Sequence, residues 1–324
     1  MGKATAVANP NIAFVKYWGK ADDALNLPAN PSLSMSLAAL TTVTTVEFRP
    51  GQTSDTVAID GRTASGQALE RVVAHLDRVR VLAGTSFGRE RAMVASRNDF
   101  PAATGLAASS SAFAALTLAA TQAAGLSLDQ AGLSRLARLG SGSACRSVPA
   151  GFALWEVEEA HQVAPPQHWD LRDAIAIVTD QAKAVGSHDG HALALTSPLH
   201  RARLAAVPGW LAAVRDGIAR RDLAAMGPAI EADALAMHGV MMTSQPSLLY
   251  WLPATVAVLQ VVRAWRAGGL EVYFTVDAGP NVHCLCQATV AGEVEKRLKA
   301  VPGVQEVVVS GPGDGVRLVN WHLF

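Results

Sequence analysis

The apolar pattern of the chain changes character near residue 180, and that change restricts it to a mixed fold of two dissimilar lobes. Ahead of it, strand-like runs at 41–48, 92–96, 151–157 and 174–178 mix with helical periodicities at 66–82, 110–124 and 128–138. Beyond it come long helical patterns at 197–207, 208–220, 223–242 and 253–267, two of them opening on a proline, whose missing N–H is no loss at a helix start. Strands at 271–276 and 282–287, a helix at 291–300 and a strand at 304–310 follow. A helical block followed by strand, strand, helix, strand predicts a sheet covered on one face. Asp, Gly, Ser and His cluster at 180–190, which sets the expected boundary and gives lobes of 1–183 and 184–324.

Half of the 324 residues are hydrophobic, enough for a large core. Lys and Arg total 27, as do Asp and Glu, so no basic field is available to grip a nucleic-acid backbone. The start of the chain lacks a signal-peptide core, and no apolar run is long enough to span a bilayer. These features predict a cytoplasmic protein without nucleic-acid or membrane partners. Cys145, Cys284 and Cys286 form neither a disulfide framework nor a CxxC metal site, and the alternating pair at 284 and 286 reads as small core residues on one strand face.

Four polar clusters interrupt the apolar background. In NDFPAATGLAASSSA at 98–112, glycine and alanine run into a helix start, where unpaired N–H groups suit an anion. The string contains neither a Walker loop nor GxGxxG, and its serines serve equally as helix caps or as phosphate and Mg²⁺ ligands. In NIAFVKYWGK at 11–20, Lys16 ends an apolar run and must either snorkel outward or meet a partner acid. The donor-rich GSGSACRS at 140–147 carries Arg146, whose fork suits a carboxylate or phosphate, although a surface turn would read alike. In FTVDAGPN at 274–281, Asp277 follows a strand-like run, as a general base, a metal ligand or the first residue of an Asx turn. A further loop, GSHDGH at 186–191, offers donors but no metal-ligand spacing.

In this order the clusters resemble the diphosphomevalonate and phosphomevalonate decarboxylase branch of the GHMP kinase superfamily, with KYWGK and SACRS as its most specific strings. The resemblance implies an α+β fold, with an N-terminal domain of the ribosomal protein S5 domain 2 type, a ferredoxin-like C-terminal domain and an active site between them. It implies ATP and Mg²⁺, held by Asn98, Pro101, Gly105, Leu106, Ala107, Ser109 and Ser110, with Ser109 as the metal-binding serine. By the same resemblance Asp277 orients or deprotonates the C3 hydroxyl of a 5-phosphorylated mevalonate, Lys16 is its cationic partner, Arg146 holds the C1 carboxylate and Asn11 positions substrate. Tyr17, Lys20, Ser141, Ser143 and Ser187 fall where such enzymes bind the C5 phosphate end. A homodimer is what the family suggests.

The chain departs from the family pattern in two places. Ala108 replaces the first serine of the phosphate loop while Ser110 adds one later, and Pro31, Gly186 and His188 stand where hydroxyl residues are usual. Fewer donors and a bulky imidazole at the C5 end tilt the expectation toward mevalonate 5-phosphate over the 5-diphosphate. Two other functions compete with decarboxylation. One is a C3 kinase that does not decarboxylate, a type lacking the Lys16 and Asp277 pairing. The other is a non-catalytic nucleic-acid-binding module on the S5-like fold, against which the neutral charge argues.

Overall fold

The structure is a computed structural model that describes residues 2–84, 87, 90–100, 108–181 and 185–324. Its eight α-helices among the described residues are α1 (Gly66–Ala83), α2 (Ala108–Ala123), α3 (Gln130–Gly140), α4 (Ser187–Leu193), α5 (His200–Arg220), α6 (Leu223–Met242), α7 (Pro253–Ala267) and α8 (Ala288–Lys299). Two begin at side-chain caps, where Asp129 accepts from the N–H of Gly132 at 2.7 Å and Asp222 from that of Ala225 at 2.9 Å.

The first lobe centres on a sheet whose strands run in the order Arg317–Val319, Lys3–Ala8, Thr42–Arg49, Arg91–Asn98, Thr56–Ile59 and Arg62–Thr63. Helix α2 packs on Lys3–Ala8 and Thr42–Arg49 through Ala114, Ala115, Ala119 and Ala120, all fully buried. Methyl side chains let its backbone lie close to the strands. Its buried hydroxyls bond inward, Thr117 to the carbonyl of Phe113 and Thr121 to that of Thr117, which satisfies them without water.

A second sheet, ordered Ala160–Ala164, Phe152–Trp155, Ser32–Ser36 and Asn11–Val15, faces the helices of the second lobe. Phe14, Phe152 and Met35 from this sheet share one buried cluster with Val207, Leu211 and Val214 of α5 and Met226 and Ile230 of α6. A continuous core therefore joins the lobes behind the cleft. The third sheet, Val272–Val276, Val282–Gln287, Leu171–Ile177 and Glu306–Ser310, forms the floor of the second lobe.

Three expectations change. The 183/184 boundary falls after Leu171–Ile177, yet that strand pairs with Val282–Gln287 and Glu306–Ser310 in the third sheet. The chain also returns at its end, where Val319 pairs with Thr5 of the first sheet. An apolar run encodes a strand but not its partners, so sheet membership could not be assigned locally. The third sheet is covered on both faces: Phe274, Val276 and Cys284 meet α7 and α8, while Tyr273 and Leu285 join the cluster containing α5 and α6. Cys284 and Cys286 do share one buried face. Finally, the helices expected at 197–207 and 208–220 are one helix, α5, with Pro208 inside it. Pro208 is exposed, so the carbonyl it leaves unpaired can turn to water, and the buried stripe of Val207, Leu211, Val214 and Ile218 offsets a penalty of about 3 kcal/mol.

Candidate active site

Lys16 and Asp277 meet across the lobes. The strand Asn11–Val15 carries a register irregularity between Ala13 and Val15, and a bulge of that kind re-aims the residues that follow it. Lys16 leaves this strand into the cleft, and its Nζ lies 2.6 Å from Oδ1 of Asp277, which follows the strand Val272–Val276. The lysine side chain is 1% exposed and the aspartate 24% exposed, so the carboxylate presents its second oxygen to the cleft. Burial lowers the Lys16 ammonium below its usual value and Asp277 opposes that shift. Burial would raise the Asp277 carboxyl, but Lys16, His283 and Arg146 together hold it below the ordinary carboxylate value. The acid is thus ionised and aimed, the state required of a base.

Arg146 lies on the 3₁₀ turn Gly142–Ser147 and is buried. Its Nε donates to Asn11 Oδ1 at 3.1 Å and one terminal nitrogen donates to Ser32 Oγ at 2.5 Å, while its plane lies over the Trp155 ring, 5.8 Å from the centroid. Asn11 is held in turn by Nδ2, which donates to Ser147 Oγ at 2.8 Å and to the carbonyl of Ser143 at 3.3 Å. A buried guanidinium fixed from two sides is suited to grip an anion, and it borders the same cleft as Asp277.

Tyr17, Lys20, Ser109, Ser141, Ser143 and Ser187 line the cleft, beside Asn11, Lys16, Arg146 and Asp277. The Tyr17 hydroxyl is buried with no hydrogen-bond partner among the described residues, and burial raises its pKa, so it stays a protonated donor. Gly142 permits this placement, because a Cβ there would stand 2.6 Å from that hydroxyl. Ser109 Oγ lies 3.3 Å from Ser141 Oγ, which joins the first turn of α2 to the loop of Arg146. Lys20 Nζ pairs with Asp23 at the rim.

Asn98 and Ser110 are not among the residues lining the cleft. Asn98 accepts from the Thr42 hydroxyl at 2.7 Å and donates to Asp60 at 3.1 Å, which uses its amide within the first sheet. Ser110 is buried in the first turn of α2, whereas Ser109 is half-buried and lines the cleft. Pro101, Gly105, Leu106 and Ala107 lie outside the described residues. The GSHDGH segment is mostly helix α4, and His188 and Asp189 reach the cleft beside Arg71 and Gln67 of α1. Arg71 and Gln67 escaped sequence reading because α1 carries an ordinary amphipathic pattern, with nothing to separate a cleft-facing arginine from a solvated one. Among the described residues no group of three or more His, Cys, Asp or Glu could hold a metal ion, so a cation here would depend on ligand oxygens besides Ser109.

Comparison with known proteins identifies the family. The family model of the diphosphomevalonate decarboxylase-like N-terminal domain matches residues 8–164, and that of the mevalonate 5-diphosphate decarboxylase C-terminal domain matches residues 174–310. The phosphomevalonate decarboxylase of Haloferax volcanii is 34% identical over 318 residues, covering 96% of this chain and 97% of that protein. The mevalonate diphosphate decarboxylase of Staphylococcus aureus superposes with a TM-score of 0.92 at 34% identity, with 98% of each chain covered. A complex of MDDEF with MVAPP, AMPPCP and magnesium superposes with a TM-score of 0.91 at 36% identity, again covering 98% of each. Fold and site define an ATP-dependent decarboxylase with the two-domain GHMP kinase architecture. The chain belongs to the diphosphomevalonate decarboxylase family. No helix among the described residues is long and apolar enough to cross a membrane.

Proposed function

We propose that this protein decarboxylates mevalonate 5-phosphate, with the 5-diphosphate as a poorer substrate, in an ATP- and Mg²⁺-dependent reaction that passes through phosphorylation at C3. The observation that carries this reading is the ion pair of Lys16 and Asp277 with buried Arg146 lining the same cleft. ATP bound with Mg²⁺ supplies the phosphoryl group that turns the C3 hydroxyl into a leaving group.

Asp277 accepts the C3 hydroxyl proton on the oxygen not held by Lys16, and Lys16 keeps that carboxylate ionised and offsets phosphoryl charge. Arg146, fixed by Asn11 and Ser32, holds the C1 carboxylate in line. As phosphate leaves C3, positive charge develops there, the C1–C2 bond electrons form the C2–C3 double bond, and C1 departs as CO2. The products are isopentenyl phosphate, ADP, phosphate and CO2. Ser109, at the start of α2 and on the cleft, would serve the triphosphate and its Mg²⁺ through its hydroxyl, at a helix start whose N–H groups suit phosphate.

The preference for a monophosphate rests on the C5 end, where Tyr17, Lys20, Ser141, Ser143 and Ser187 face His188. Burial, with Lys20 and Arg71 nearby, lowers the His188 pKa and favours a neutral ring there. A neutral imidazole offers one donor and occupies volume, whereas a second phosphate adds charge that calls for a cation. Steady-state kcat/KM with the two phosphorylated mevalonates tests it, and a large preference for the 5-diphosphate overturns it.

A further inference from the structure

Neither Lys16 nor Asp277 sits on α6, yet this helix holds the main chain at both. Asp233 Oδ2 accepts from the Lys16 N–H at 2.6 Å, and His238 Nε2 donates to the Asp277 carbonyl at 3.0 Å. Two residues before Asp233, Glu231 accepts from the Phe274 N–H at 3.1 Å, which ties the strand leading to Asp277 to the same helix. The carbonyl of Lys16 is fixed as well, by a terminal nitrogen of Arg203 at 2.8 Å and by Asn30 Nδ2 at 2.9 Å. Arg203 of α5 pairs through Nε with Asp233 Oδ1 at 2.9 Å, both side chains being fully or almost fully buried.

We propose that α6 is the jig that sets the Lys16–Asp277 separation, with Asp233 and His238 as positioning residues and Arg203 as the lock on Asp233. Lysine has four rotatable side-chain bonds, so a 2.6 Å contact with a given carboxylate oxygen is reproducible only if both backbones are fixed. Bonds from one rigid helix to each backbone meet that requirement, whereas direct side-chain contacts to either reacting group would occupy the atoms the chemistry needs. His238 suits the task because burial, and then Lys16, lower its pKa to about 4, which keeps the ring neutral, and of the two neutral tautomers only the one protonated on Nε2 can donate to this carbonyl. The ring packs against Trp251 at 4.9 Å between centroids with the planes tilted by 37°, so its orientation is set by packing. A misplacement on the order of 1 Å in such a pair can cost roughly a hundredfold in rate.

The inference rests on Lys16 and Asp277 being the reacting pair, so the test carries Lys16→Met and Asp277→Asn beside the new variants. In the full chain, His238→Leu should lower kcat by about tenfold or more while KM for the phosphorylated mevalonate and Kd for Mg-ATP stay within about twofold, and His238→Gln, which retains an N–H near Nε2, should recover most of the loss. Asp233→Asn should behave like His238→Leu, since an amide cannot accept from both Lys16 N–H and Arg203, and it carries the test if the leucine variant does not fold by circular dichroism. Wild-type kcat in folded His238→Leu or Asp233→Asn, or a rise in KM equal to the fall in kcat/KM, overturns the jig. Full activity in Lys16→Met and Asp277→Asn would instead overturn the assignment of the reacting pair.

Discussion

Lys16 and Asp277, 261 positions apart and carried by different sheets, meet at 2.6 Å in a cleft whose walls come from both lobes. The pair cannot form until the lobes have packed, so the reacting geometry is a product of the tertiary fold. Removing one member of a buried ion pair leaves the other uncompensated, at a cost of roughly 3–5 kcal/mol. The isosteric Asp277→Asn is therefore a cleaner probe than alanine. It should lower kcat by about two to four orders of magnitude, the range for loss of a general base. Mg-ATP affinity, read by titration calorimetry, should stay near wild type, and near-wild-type turnover would remove Asp277 from its role.

The pH dependence follows from the directions of the two shifts. Asp277 is held below its usual value of 3.8, so its ionised form survives to low pH and is lost only as pH falls through that depressed value. Lys16 is lowered from 10.5, so its charge is lost as pH rises through a value under that figure. Turnover at saturating substrate should therefore be limited on the alkaline side below the ordinary lysine value, with no acidic limb from Asp277 above 3.8. An acidic limb assigned to Asp277 near neutrality, lost in Asp277→Asn, would contradict the ion pair.

Arg146→Lys should be severe although charge is conserved. One ammonium cannot bond Asn11 and Ser32 while also gripping a carboxylate with two parallel donors. Loss of this charge-assisted grip, about 1.5–3 kcal/mol per bond, corresponds to a fall of roughly tenfold to a hundredfold or more in kcat/KM. A kcat/KM within about twofold of wild type would remove the carboxylate from Arg146.

His188→Arg should move preference toward mevalonate 5-diphosphate, because it places a permanent cation beside Lys20 and Arg71 at the C5 end. The quantity to follow is the ratio of kcat/KM for the two substrates, which should shift by about tenfold if one charge-assisted bond is gained. An unchanged ratio would place the selection elsewhere.

The site was legible where chemistry broke an apolar pattern. Lys16 at the end of NIAFV and Asp277 at the end of YFTV are charges where neighbours are buried, and each had to find a partner. Arg146 stood out in a loop of glycine and serine, and the structure places it in the same cleft. The residues that escaped notice lie on helices: Arg71 looks like any solvated arginine, while Asp233 and His238 look like polar interruptions of a core helix. Their contacts, made over more than two hundred positions for Asp233, exist only in three dimensions. Leu171–Ile177 was recognisable as a strand but not as a member of the third sheet, for the same reason. Asn98 matched a family string, yet its amide is committed to Thr42 and Asp60.

The central claim, C3 phosphorylation coupled to loss of C1, is tested most directly by measuring ADP and CO2 together during turnover with ATP, Mg²⁺ and each phosphorylated mevalonate. Equal molar release of ADP and CO2, faster at limiting concentration with the 5-phosphate, is the predicted result. ADP formation without CO2 would make the protein a C3 kinase, and no turnover of either substrate would contradict the account.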